Sequence, residues 1–263
     1  MQAGVSTASL FLRETNEDAL VVLDKIDAKV VEIFLESFCE YTDDFARLLK
    51  SRLGNLRVHS VHTLNTHFEP ELFSLNDRAY SDAHSVYQRV LSVAKILDAK
   101  NYTFHGQIRL KRGPKVFTDY AYTGGVFEKL GREANECGVS LCLENVEWAI
   151  YSRAGYLTNI KPYCPALSTC LDIKQARIAG DDYKDYLAEM KNSLKTVHIS
   201  DYTADGKIVL PGKGLFDFRK LIDELNKANY DGPLIIEVYK DSFTDLDELS
   251  TSLEYIRKLI KEG

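Results

Sequence analysis

At 263 residues, 45% of them apolar and 27% charged, the chain can bury one large core and is too apolar for low-complexity disorder. A net charge of −6 argues against nucleic acid as a partner, and no run of eighteen apolar residues marks a membrane span. Five cysteines, an odd number without a CxxC pair, read as reduced thiols of a cytoplasmic protein, not a disulfide framework or a zinc knuckle.

The opening residues, MQAGVSTASLFLRETNED, have no basic segment followed by a long apolar one, so no leader is predicted there. Strand-like and helix-like segments then alternate to the end. QAGVSTASL leans to strand and NEDALVVLDKI to helix. KVVEIFL is a strand, followed by the helix TDDFARLLKSRLG, with Thr42 as N-cap and Gly54 as stop. LRVHSVH is a strand. In SDAHSVYQRVLSVAKILDAK, Val86, Val90, Val93 and Leu97 form a helical stripe. NYTFHG, VSLCLENV, LSTCLDI, LKTVHISD and PLIIEVY are strands. The helices YTGGVFEKLGREANECG, GYLTNIKPYCP, DDYKDYLAEMKNS and DFRKLIDELNKAN separate them. The last helix carries Leu246, Leu249, Leu253 and Ile256 on one face.

Eight strands alternating with eight helices imply parallel pairing through right-handed crossovers. The prediction is one α/β domain, residues 1–263, folded as a single (β/α)8 TIM barrel. A doubly wound open sheet needs a glycine-rich phosphate turn after the first strand, and STASLFLRE has none.

In such a barrel, chemistry collects at the C-terminal ends of the strands. The third to eighth strands end in His62, His105, Glu144, Asp172, His198 and Glu237, all metal-ligand types. Residues two apart share a face of a strand. If the tips point inward, so do Cys142 with Glu144, Cys170 with Asp172, Thr196 with His198, and Ser60 and Val58 with His62. Val61, Phe104, Leu143, Leu171, Val197 and Ile236 then face the helices, and so does His59. His67 and His84 read as peripheral. Three carboxylates and one imidazole converging from four neighbouring strands repel one another unless a cation lies between them, since each uncompensated buried charge costs roughly several kcal/mol.

The segments LCLENV, CLDIKQA, TVHISD, PGKG and IIEV, in this order, make the chain similar to the xylose isomerase-like barrel superfamily of sugar phosphate isomerases and epimerases. The resemblance runs over nearly the whole chain. It implies one divalent metal on Glu144, Asp172, His198 and Glu237, with His62 and His105 lining the site and touching substrate. Three-zinc AP endonucleases share the scaffold. They have a histidine where this chain has Gln175, and an Asp-x-His where it reads IVLPGKG, so the DNA-repair reading is disfavoured.

An oxygen-rich donor set suits manganese or magnesium, with zinc and cobalt as alternatives. The implied reaction is isomerisation or epimerisation of a sugar, sugar phosphate or related polyol through an enediolate, with Glu144 and Glu237 exchanging the proton. Gln175 and Trp148 are candidates to contact substrate, Trp148 by stacking on a sugar face. Lys213, in PGKG ahead of a helix, is a candidate anion contact. Arg109, Lys111, Arg112 and Lys115 form a basic run after the fourth strand, which suits a phosphate or carboxylate. A metal-dependent lyase or dehydratase on a cyclic polyol or dehydroshikimate-like acid is the alternative, and a binding barrel without turnover is a third reading. Neither a nucleic-acid nor a membrane partner is expected, and a homo-oligomer is compatible with the sequence.

Overall fold

The computed structural model describes residues 1–64, 68–109 and 119–263. His67 and the basic residues Lys111, Arg112 and Lys115 lie outside them.

Eight parallel strands close into a barrel: β1 (Gln2–Ser6), β2 (Val30–Leu35), β3 (Arg57–Thr63), β4 (Asn101–Phe104), β5 (Ser140–Glu144), β6 (Ser168–Asp172), β7 (Leu194–Ile199) and β10 (Pro233–Ile236). Closure is made by β1 against β10, from Gln2 opposite Pro233 to Val5 opposite Ile236. Gly4 sits at that seam because a Cβ there would lie 2.6 Å from the Val30 carbonyl oxygen and 2.7 Å from Ile235 Cδ1. A small hairpin absent from the sequence expectation, β8 (Asp201–Tyr202) with β9 (Ile208–Val209), follows β7.

Between the strands run α1 (Asn16–Lys25), α5 (Tyr156–Ile160), α7 (Tyr183–Met190) and further helices whose starts are set by side-chain caps. Thr42 accepts from the Phe45 N–H to open α2 (Asp43–Arg52), as its place before an acidic turn predicts. Asn76 accepts from Arg78 and Ala79, so α3 (Asp77–Ile96) begins four residues before the expected start at Ser81. Asp119, Asp217 and Asp245 cap α4 (Tyr120–Glu136), α8 (Phe218–Lys227) and α9 (Leu246–Glu262). The outward faces of the strands pack on these helices: Val61, Phe104, Leu143, Leu171, Val197 and Ile236 are all fully buried members of the apolar core. Cys142 and Cys170 are buried outside that apolar layer, and all five cysteines are free thiols. No helix among the described residues is long and apolar enough to cross a membrane.

The period of two breaks at two pairings: in β7, where Thr169 and Cys170 of β6 pair with Leu194 and Thr196, and in β3. On β2 the consecutive residues Val31 and Glu32 pair with Val58 and Ser60 of β3, so His59 is an inserted residue. This bulge breaks the period of two. Val58 joins the helix-facing core in register with Val31, contrary to the inward placement expected of it. His59, expected to face the helices, turns inward: its Nε2 lies 2.9 Å from Thr196 Oγ1, the residue two before His198 on β7.

Candidate active site

Four strand ends meet at the barrel mouth. Asn145, just after β5, bonds with both groups of its amide to the end of β6: its Nδ2 donates to the Asp172 carbonyl at 2.9 Å, and its Oδ1 accepts from the Asp172 N–H at 2.8 Å. That clamp holds Glu144 beside Asp172. His198 Nδ1 lies 2.9 Å from Glu144 Oε1. Glu237 continues β10 by donating its N–H to the Ile199 carbonyl at 3.0 Å. The ligand atoms of Glu144, Asp172, His198 and Glu237 fall within 4.8 Å of one another, and all four residues are buried.

A short helix, α6 (Ile173–Ala179), starts directly on β6, with Asp172 as both last strand residue and N-cap. Asp172 Oδ1 accepts from the Gln175 N–H at 2.9 Å. Oδ2 has no hydrogen-bond partner among the described residues. The first turn of α6 also folds Lys174 over the cluster, its Nζ 3.0 Å from Glu237 Oε2 and 3.5 Å from Asp172 Oδ2. Sequence reasoning missed this lysine, because its place over the cluster follows from α6 starting on the last residue of β6.

It also missed Glu32. This carboxylate is wholly buried in β2, accepting from Ser60 Oγ at 2.7 Å and Thr103 Oγ1 at 2.8 Å, with His198 Nε2 3.2 Å from the same oxygen. The sign was present: Glu32 interrupts the apolar run VVEIFL as Glu144 ends SLCLE. It went unread because only strand tips were searched for polar residues.

Burial pushes the Asp172 carboxyl up to about 6, against the pull of the Lys174 ammonium. Burial acts upward on Glu237 too, but Lys174 and His198 hold it well below the usual carboxylate range. Burial would depress His62; the carboxylates of Glu237 and Glu32, 3.5 and 3.4 Å from its Nδ1, push it instead up to about 10. The chain therefore supplies part of the compensation that the sequence assigned to a bound cation alone. Four buried carboxylates face Lys174 and the imidazoles of His62 and His198, which the same carboxylates hold toward their charged forms.

Above the cluster lies a cavity of about 320 Å³, lined by His62, His105, Glu144, Trp148, Gln175 and Glu237, with apolar walls that include Phe34 and Phe11. His62 and His105 are joined Nε2 to Nε2 at 2.9 Å. The Trp148 ring lies 5.1 Å from that of His105. Gln175 reaches the cavity while its Oε1 accepts from the Glu147 N–H at 3.2 Å. Arg109 is paired to Glu147 at 2.8 Å. Lys213 is exposed and lies outside the cavity lining, and α8 is capped by Asp217 four residues later. His84 sits on the outside of the barrel, 2.6 Å from Glu133.

Comparison with curated protein sequences finds no match. Solved structures do match over almost their full length. A D-tagatose 3-epimerase-like protein superposes with a TM-score of 0.79 at 18% identity, covering 100% of this chain and 98% of the other. D-psicose 3-epimerase from Clostridium cellulolyticum H10, solved with D-tagatose, gives 0.79 at 16% identity and 99% coverage of both. The E. coli 3-keto-D-glucoside 4-epimerase gives 0.76 at 17%, covering 98% and 99%. At these identities the likeness is one of fold. The sequence model of the xylose isomerase-like TIM barrel matches residues 13–259, and with the closed barrel and its strand order the chain belongs to that family.

Proposed function

We propose that the protein is a divalent-metal-dependent isomerase or epimerase of a small sugar, sugar phosphate or related polyol. One observation carries this reading: Glu144 and Glu237 belong to the four-residue donor set and also line the cavity above it. They can then act on a molecule held by the same cluster. Epimerases of ketoses and of a keto-glucoside among the structural neighbours support the substrate class.

The donors fit a hard divalent cation. Three carboxylates and one imidazole are of the right kind, and Asp172 Oδ2 is a buried oxygen without a partner. Manganese or magnesium suits this set best. Bound there, the cation would polarise the substrate carbonyl and stabilise negative charge developing on its oxygen.

The chain's own residues do the rest. Glu237, held ionised beside Lys174, takes the proton from the carbon next to the carbonyl. Glu144, protonated before the step, delivers its proton from its own side of the cavity, which inverts that carbon; Glu237 then releases its proton to solvent and Glu144 regains one. Lys174 stays charged and offsets the repulsion between Glu237 and Asp172. Trp148 and Phe34 offer apolar faces to the sugar ring or chain, and His62, His105 and Gln175 offer polar contacts. The substrate is a neutral or anionic carbohydrate of a size that fits the cavity.

Exchange of the substrate's α-proton in D2O, followed by NMR over a panel of ketohexoses, their phosphates, 3-keto sugars and inososes, tests the reading. Glu144→Gln and Glu237→Gln each keep an oxygen donor but cannot carry a proton, so exchange should fall about 10²–10⁴-fold with metal still bound. Wild-type rates in both variants would place the base elsewhere. Enone absorbance in place of exchange would mark a dehydratase.

A further inference from the structure

His198 and Glu237 each turn one donor atom away from the mouth of the barrel. His198 presents Nδ1 to Glu144 at 2.9 Å and Nε2 to Glu32 Oε1 at 3.0 Å. Glu237 presents Oε2 to Lys174 at 3.0 Å and Oε1 to His62 Nδ1 at 3.5 Å. The circle closes between His62 Nδ1 and Glu32 Oε1 at 3.4 Å. These four residues form a second buried group whose ligand atoms lie within 4.8 Å of one another.

Two of these atoms want a partner. Glu32 Oε1 and His62 Nδ1 have no hydrogen bond among the described residues, though the two residues are 0% and 3% exposed. Their charged contacts, 3.0 to 3.5 Å to each other and to His198 and Glu237, miss hydrogen-bond geometry, and a cation between them would satisfy both atoms. Their surroundings hold them in position. Ser60 and Thr103 both donate to Glu32 Oε2, which fixes the carboxylate and leaves Oε1 facing the barrel axis. His62 Nε2 is engaged by His105 Nε2 at 2.9 Å, and His105 Nδ1 lies 3.3 Å from Glu69 Oε2. With its proton on Nε2 toward His105, the neutral His62 ring offers Nδ1 as a ligand, and a cation bound there would displace the Nδ1 proton that Glu32 and Glu237 otherwise favour.

Three of the six spacings match a zinc-sized ion. A tetrahedral zinc with ligands at about 2.0–2.1 Å has ligand-to-ligand edges of roughly 3.3 Å. The three edges above run from 3.0 to 3.5 Å. Two imidazole nitrogens and two carboxylate oxygens suit zinc better than magnesium.

We propose that Glu32, His62, His198 and Glu237 form a deeper divalent-cation site, selective for zinc-like ions, beneath the one at the strand tips. The two positions share His198 and Glu237 as bridges but compete for no donor atom. With both filled, the His198 ring ligates through both nitrogens and releases its N–H proton to solvent. Four carboxylates and one imidazolate against the Lys174 ammonium then leave four negative charges, which two divalent cations cancel. The proposal rests on donor geometry, and its test reads metal content and the cobalt spectrum rather than the sugar reaction, in which Glu237 also takes part.

Chelator-stripped protein is loaded with zinc alone, desalted and analysed for zinc per chain; a parallel sample is loaded with cobalt(II) and its visible spectrum recorded. The expected result is two zinc ions in wild type and one in each of Glu32→Gln and Asp172→Asn. Intense tetrahedral cobalt bands should appear in wild type and Asp172→Asn and be lost in Glu32→Gln. Thr103→Val, a near-isosteric change that removes one orienting bond, should weaken one of the two zinc ions about 10–100-fold; it serves if Glu32→Gln does not fold. One zinc that Asp172→Asn loses and Glu32→Gln keeps overturns the deeper site and leaves the outer one standing. One zinc with the opposite pattern supports the deeper site and removes the outer.

Discussion

Asp172 and Asp201 look alike in the sequence: each ends an apolar strand, in STCLD and VHISD, and each is 1% exposed. Their surroundings are opposite. Asp201 accepts four backbone N–H groups, from Tyr202 at 2.8 Å, Gly212 at 3.0 Å, Gly214 at 2.9 Å and Phe216 at 2.9 Å. The PGKG turn wraps around this carboxylate so closely that a Cβ on Gly214 would lie 2.3 Å from the Tyr202 carbonyl oxygen and 2.4 Å from Asp201 Oδ1. Asp172 spends one oxygen on a helix cap and leaves the other without a hydrogen bond among the described residues, beside Lys174 and two glutamates. A buried carboxylate whose acceptors are filled by backbone holds structure. One left partly open among like charges costs stability and is available for chemistry.

Three measurements would break or sharpen this contrast. The largest effect is expected at Asp201. Asp201→Ala strands several buried N–H groups and unpins the turn, so urea unfolding of metal-free protein should show a loss of about 3–5 kcal/mol. A loss below about 1 kcal/mol would mean that the turn holds itself.

His59, at the β3 bulge, extends the contrast to a titratable ring. Burial drops its pKa from 6.5 to about 4. The native ring stays neutral while the unfolded chain takes up a proton, so stability is intact above 6.5 and is lost as pH falls toward 4. At 1.36 kcal/mol per pKa unit, that loss approaches about 3 kcal/mol. The comparison is urea unfolding of wild type and His59→Gln across this window. Equal slopes in the two proteins would show that the ring is not buried as described.

The smallest change in stability is expected at Asp172. Asp172→Asn keeps the cap oxygen and removes one of several crowded negative charges, so metal-free stability should stay within about 1 kcal/mol of wild type. A loss as large as that of Asp201→Ala would erase the distinction between the two aspartates.

Much of the site was legible because its logic is local. An acid at the end of SLCLE is anomalous whatever surrounds it, and the same reading found Asp172, His198 and Glu237. Glu32 was equally legible in VVEIFL but lay deeper than the tips. Lys174 was not: its position follows from α6 starting without a loop, which joins strand end and helix cap in one residue.

The sequence by itself determined the alternation of strands and helices, hence the parallel barrel, and the line of side chains of metal-ligand type along its mouth. Period and residue type suffice for both, since they act over a few residues. Only the tertiary structure decided that His59 turns inward, because a bulge is a matter of how β2 and β3 pair. It also decided which buried acids are satisfied. Whether Asp201 finds four donors and Asp172 one depends on which distant segments fold against them, and the energy of a buried charge is set by those neighbours rather than by its place in the chain.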